Sequence, residues 1–172
     1  TCDSAVKLGA FSGAANMLTG RGYLAGIAGG ATANSHLVFG GCSPSVVNCT
    51  EEYNGSIWAI GRGMNTGRPF AAGTGTQNAA LAMAGQTSGN LTATEEYDGF
   101  SWTASGALII ARRYPGAGGT QNAAVMFGGN APNASNATEE YGGTSWSAGN
   151  AMITARYGLG GTGTQNAALA FQ

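Results

Sequence analysis

A period of 44 residues constrains this chain more than any other feature. Thr50-Glu51-Glu52-Tyr53 returns as Thr94-Glu95-Glu96-Tyr97 and again as Thr138-Glu139-Glu140-Tyr141. Trp58, Trp102 and Trp146 keep the same interval, as do Arg68, Arg112 and Arg156, and the Gln-Asn-Ala-Ala runs that begin at Gln77, Gln121 and Gln165. Such a repeat is one supersecondary unit that cannot bury its apolar face alone, so neighbouring units must stack to make a core. The two ends supply a fourth copy. Phe11 stands in the Trp slot and leads to Arg21 as Trp146 leads to Arg156, while Asn34-Ser35-His36-Leu37-Val38-Phe39 matches Asn166-Ala167-Ala168-Leu169-Ala170-Phe171. The expected organisation is a single domain of four units, about 21–67, 68–111, 112–155, and 156–172 joined with 1–20. The chain begins at Thr1 without a signal-peptide pattern, which suggests a processed product or a piece of a longer protein.

Each unit reads as four short strands. Ala79-Ala80-Leu81-Ala82-Met83 and Ala123-Ala124-Val125-Met126-Phe127 are continuous apolar runs closed by small residues. They are too short for independent helices and suit strands buried on both faces. The Thr-Glu-Glu-Tyr strand follows, then a reversal at Asn54-Gly55, Asp98-Gly99 or Gly142-Gly143, which predicts two-residue hairpin turns, then the Trp strand. Beyond each Arg lies a Gly/Ala-rich strand such as 157–162, whose glycines predict a crowded innermost position.

The glycine pair after an apolar strand, followed by Tyr, Trp and Arg before the next unit, resembles the blade of a kelch-type β-propeller. That resemblance covers essentially the whole chain and implies an all-β, four-bladed kelch-like β-propeller with one blade split between the termini. The unit departs from the pattern at Ala84-Gly85, where the glycine pair is incomplete, and at Gly20, which replaces Ala before Arg21. The Thr-Glu-Glu-Tyr-Asp-Gly-x-Ser-Trp run at 94–102 is more loosely similar to repeats of phage and environmental-microbe fibre or surface proteins.

Charge is sparse and belongs mostly to the repeat. Seven basic and eight acidic residues give a net charge of −1, without the basic footprint that nucleic acid requires. Apolar stretches such as 107–111 are too short to cross a bilayer as a helix. Neighbouring strand residues face opposite ways, so one Glu of each pair (Glu51-Glu52, Glu95-Glu96, Glu139-Glu140) points into the structure. The expected partner of that carboxylate is a repeat arginine, Arg68, Arg112 or Arg156, because a guanidinium fork satisfies both oxygens. The alternative, a ring of carboxylates for acid–base or metal chemistry, is broken at Ser4-Ala5. Tyr53, Tyr97, Tyr141, Trp58, Trp102 and Trp146 are expected as packing between blades, with a sugar-stacking surface as the competing reading.

A single histidine precludes a two-histidine metal site within one chain, and neither a Gly-x-Ser-x-Gly elbow nor a phosphate-cradling loop occurs. No cofactor is expected. Cys42 and Cys49 flank a reversal and are expected to form a disulfide, which would imply an oxidising setting. Cys2 aligns with Cys49 and is left as a free or inter-subunit thiol. Five Asn-x-Ser/Thr sequons, at Asn48, Asn54, Asn90, Asn133 and Asn136, are candidates for N-glycosylation. Together these features lead to the expectation of a non-enzymatic structural or assembly module, extracellular, on a cell surface or in a virion. It would form a homo-oligomer or filament, or part of a larger assembly. The alternatives are a glycan- or protein-binding propeller and, less favoured, a hydrolase.

Overall fold

The computed structural model describes residues 15–29 and 34–172, and within them every regular element is a β-strand. In chain order these are β1 (Ala25–Gly26), β2 (Ala28–Gly29), β3 (His36–Phe39), β4 (Thr50–Tyr53) and β5 (Trp58–Gly61). Then follow β6 (Ala72–Thr76), β7 (Ala79–Met83), β8 (Thr94–Tyr97) and β9 (Trp102–Ser105). The last are β10 (Gly116–Gly119), β11 (Ala124–Phe127), β12 (Thr138–Tyr141), β13 (Trp146–Ala148), β14 (Gly160–Thr164) and β15 (Ala167–Phe171).

Three blade-like antiparallel sheets follow the repeat: β1-β3-β4-β5, β6-β7-β8-β9 and β10-β11-β12-β13. Their strand order is the predicted one, from the Gly/Ala-rich strand through the apolar and Thr-Glu-Glu-Tyr strands to the Trp strand. The fourth sheet has two described strands, β14 and β15. β2 pairs in parallel with β6, Ala28 opposite Thr74, and ties the first sheet to the second. Register repeats from sheet to sheet: Leu37 lies opposite Glu52, Leu81 opposite Glu96 and Val125 opposite Glu140.

The core lies between successive sheets. Leu37, Phe39 and Met64 of the first unit pack with Ala80, Ala82, Tyr97 and Trp102 of the second. Leu81, Met83 and Leu108 of the second meet Met126, Tyr141 and Trp146 of the third. A smaller cluster of Val125, Phe127 and Leu159 joins the third and fourth. Crowding on the inner strands explains their composition. A Cβ on Gly73 would sit 2.6 Å from Phe39 Cζ and 2.7 Å from the Gly26 carbonyl, so a larger side chain would separate the sheets.

The hairpin reversals are shifted by one residue from the expected turns. Asn54 and Ile57 pair through the backbone, which centres the turn on Gly55-Ser56, and only Gly55 takes positive φ, at +95°. Asn54 Oδ1 accepts from the Ser56 and Ile57 N–H groups, both at 3.0 Å, so the residue before the glycine acts through its side chain. Asp98 does the same for Ser101 at 2.6 Å and Phe100 at 2.8 Å, and these backbone bonds, Ser101 first, hold its carboxyl below the usual range.

The expected disulfide is not formed; Cys42 and Cys49 are both free. The reversal between them is asymmetric. Cys42 lies opposite Val46 in a tight turn, whereas the Cys49 carbonyl accepts from the Gly40 N–H at 3.0 Å. The two thiols therefore belong to different rungs. Cys2, Ser4, Ala5 and Phe11 fall outside the described residues.

Candidate functional site

Two constellations recur from unit to unit, and both follow from strand register. The first is a buried polar frame. Glu51, Glu95 and Glu139 are almost fully buried, and each carboxylate accepts two backbone N–H groups from the segment preceding its unit. Leu18 N–H and Thr19 N–H serve Glu51, Asn65 and Thr66 serve Glu95, and Ile109 and Ile110 serve Glu139, at 2.7 and 3.2 Å in every case. An arginine completes each site. Arg68 Nη2 lies 2.5 Å from Glu95 Oε1, Arg112 Nη2 pairs with Glu139, and Arg21 Nη2 is 3.1 Å from Glu51. Burial lowers the Arg68 pKa despite the opposing pull of Glu95. Arg156 forms no ion pair among the described residues. Arg21, aligned with the repeat arginines, takes up Glu51 instead.

The second glutamate of each pair has a different task. Glu52 accepts from the Tyr97 hydroxyl and Glu96 from that of Tyr141 at 2.5 Å, each across to the next unit. Burial, and then the bond to its glutamate, raises both phenols, with Tyr141 pushed up to about 12. Glu140 receives no such bond among the described residues and borders an open cavity of about 400 Å³. Trp102 Nε1 donates to Thr50 Oγ1 at 2.9 Å and Trp146 Nε1 to Thr94 Oγ1 at 3.0 Å. Trp58 instead donates to the Ala15 carbonyl. Tyr97, Tyr141, Trp102 and Trp146 are buried, so they offer no face to a sugar, while Tyr53 and Trp58 are half-buried.

A third link was visible as a repeat but not recognised as a ligand. Gln77 Nε2 donates to the carbonyls of Tyr53 and His36, Gln121 to those of Tyr97 and Ala80, and Gln165 to those of Tyr141 and Ala124. Each glutamine thus clamps two strands of the preceding unit. The regular interval was the available signal.

The second constellation lies where the four units converge. Leu24, Ala71, Pro115 and Leu159, one from each unit, line a cavity of about 290 Å³ together with the glycines and alanines beside them. A smaller cavity of about 170 Å³ shares those four residues and is edged by Tyr23, Phe70, Tyr114 and Gly158. Backbone bonds link this rim: Phe70 N–H to Tyr23 O at 3.1 Å, Tyr114 N–H to Phe70 O at 2.9 Å and Gly158 N–H to Tyr114 O at 2.9 Å. None of these aromatic residues keeps the repeat's identity strictly, which is why the period did not reveal them.

Of the sequons, Asn48, Asn90 and Asn136 use Nδ2 to bond the carbonyls of Met64, Asn130 and Met152. Asn54 engages only its oxygen, and Asn133 is exposed with no side-chain bond among the described residues, so these two present an open amide nitrogen. Among the described residues, no three His, Cys, Asp or Glu side chains gather as a metal site. Comparison with known proteins finds no family model that matches the chain and no curated protein that matches it.

Proposed function

We propose that the chain is a non-enzymatic structural and assembly module, a four-bladed kelch-like β-propeller whose fourth blade is completed by strand addition. The observation that carries this reading is the outer edge of β15, which has no strand partner among the described residues. Its counterparts β3, β7 and β11 are flanked on both sides, whereas among the described residues β15 pairs only with β14, with Leu169 and Phe171 more than half exposed. An apolar strand with a free row of backbone groups is a template for another strand. The repeat supplies the candidate: residues 1–20 align with the missing half of that unit. Added from the same chain, they close a ring; added from a neighbouring copy, they make a heterologous contact that propagates. An extracellular fibre, appendage or virion surface is the setting proposed. With Cys42 and Cys49 free, it rests on the likeness of the 94–102 run to fibre repeats and on the low charge.

Native mass spectrometry and electron microscopy over a concentration series test the reading. Oligomers or filaments that dissociate when residues 1–20 are removed are expected. A strictly monomeric particle with no further partner refutes assembly. A second reading, a glycan-binding propeller, is favoured by the exposed aromatic rim over the converging inner strands.

A further inference from the structure

Tyr23, Phe70 and Tyr114 occupy the same slot of three successive units, and all three adopt left-handed backbone, with φ of +55°, +62° and +55°. A bulky residue is strained there, whereas glycine is not. The fourth unit places Gly158 in that slot, with φ of +72°. The fold therefore demands a left-handed residue and accepts glycine, yet three units retain an aromatic ring. Burial does not account for them: Tyr23 is 63% exposed, and Phe70 and Tyr114 are half-buried. Tyr157, next to Gly158 and itself half exposed, extends the arc. Successive ring centroids lie 4.6, 4.4 and 6.2 Å apart from Tyr23 to Tyr157. Backbone strain repeated about one opening points to a use for the rings.

The chemistry of the rim narrows the ligand. It offers ring surfaces and the phenols of Tyr23 and Tyr114 over an apolar floor with no acidic side chain among its lining residues, and the Tyr157 ring, 6.2 Å from that of Tyr114, continues the row just outside it. Arg113 lies 5.7 Å from the Tyr114 ring centroid, which disfavours a cationic guest, and its guanidinium is already bonded to Gln86 at 2.6 Å. A neutral ring with one C–H face and a hydroxylated edge fits both surfaces. We propose that the rim formed by Tyr23, Phe70, Tyr114 and Tyr157 binds the pyranose ring of a neutral glycan, stacking its apolar face on the aromatic rings. This rests on the second reading above and is independent of how the fourth blade is completed.

The test uses the full chain with the methyl glycosides of mannose, glucose, galactose and N-acetylglucosamine, followed by saturation-transfer NMR. At least one should receive saturation, strongest on the protons of a single face. Tyr114→Gly and Tyr157→Ala should each weaken its binding by about tenfold, the loss of a stacking contact. Tyr114→Gly should melt no lower than the parent, since it installs the residue the fourth unit already uses. Absence of transfer to all four glycosides overturns the glycan reading itself. Binding that persists unchanged in both variants leaves that reading standing but overturns this site. A Tyr114→Gly protein that fails to fold shows the ring to be structural packing and overturns the argument from the slot.

Discussion

Arg112→Ala probes the buried frame at its best-defined point. The guanidinium is fully buried, pairs with Glu139, and donates through Nη1 to the carbonyls of Gly128 at 3.0 Å and Ala137 at 2.8 Å. Its removal leaves the Glu139 carboxylate, 1% exposed, with only the Ile109 and Ile110 N–H groups. Ala137 O keeps the Gly128 N–H and Ile110 O loses only a long contact from Nε at 3.4 Å, so the buried Gly128 carbonyl is the one left without a donor. Breaking one side of a buried pair costs about 3–5 kcal/mol, because the surviving charge is stranded. The two N–H groups already on Glu139 place this case near the lower end, at about 3 kcal/mol, and the abandoned carbonyl adds about 1 kcal/mol. A loss of about 4 kcal/mol is a large share of the roughly 5–15 kcal/mol that holds a domain together. In urea, with a slope of about 2–2.5 kcal/mol per molar, the midpoint should fall by roughly 1.5–2 M. Circular dichroism at fixed protein concentration reads it. Arg156→Ala is the internal control, the same repeat position without an ion pair among the described residues, and should cost less than about 0.5 kcal/mol. Equal losses at the two positions, or a loss below about 1 kcal/mol for Arg112→Ala, would refute the reasoning.

Gln121→Ala removes two bonds that hold the second unit to the third and should cost about 1–2 kcal/mol in the same assay; no change would show the clamp to be incidental. The raised phenols set an alkaline limit. Tyr97 and Tyr141 are held protonated in the fold, so their contribution is complete below the ordinary value of 10.0 and is lost as pH rises through the folded value, about 12 for Tyr141. Melting temperature should therefore fall above pH 10 in the parent and more gently in Tyr141→Phe, and parallel profiles would exclude the tyrosine as the cause. Non-reducing alkylation and peptide mapping should label both Cys42 and Cys49, whereas a peptide linking the two would restore the disulfide.

Strand order and the inward glutamates were legible because strand periodicity and a 44-residue repeat report the same geometry from independent directions. One glutamate of each pair had to face inward, the structure makes it the first, and an arginine at a fixed interval was the available counter-charge. What escaped notice depends on the path of the loops. Cys42 and Cys49 share a reversal, but a tight turn on one limb places them on different rungs. Arg156 matches Arg112 in sequence and differs in partner, because the unit it precedes carries Ser4 where Glu139 stands in its neighbour. The rim aromatics fall just beyond each repeat arginine as Gly22-Tyr23, Pro69-Phe70, Arg113-Tyr114 and Tyr157-Gly158. Their common feature is a backbone angle, which composition does not display.

The repeat's polar links are erased at one place. At the interface of the first and second units, Gln77, Tyr97 and Trp102 all donate across, and Gln121, Tyr141 and Trp146 repeat the set at the next interface. Among the described residues, Gln165 is the member of this set that remains between the third and fourth units. In the N-terminal half-unit, Val6 fills the Tyr slot and Phe11 the Trp slot, so neither can donate to Glu140 or Thr138. Ala5 aligns with the second glutamate of each pair and Ala33 with the repeat glutamine, and neither alanine can make those links. The proposed completion of the fourth blade thus lacks the Tyr–Glu and Trp–Thr links of the other units, while Gln165 toward the third unit and Glu51 and Trp58, which bond Leu18, Thr19 and Ala15, remain. With fewer side-chain links, a junction completed this way is expected to open before the others. Under the proposed completion, opening there would bare β15 and let a neighbouring copy supply the strand in place of the chain's own.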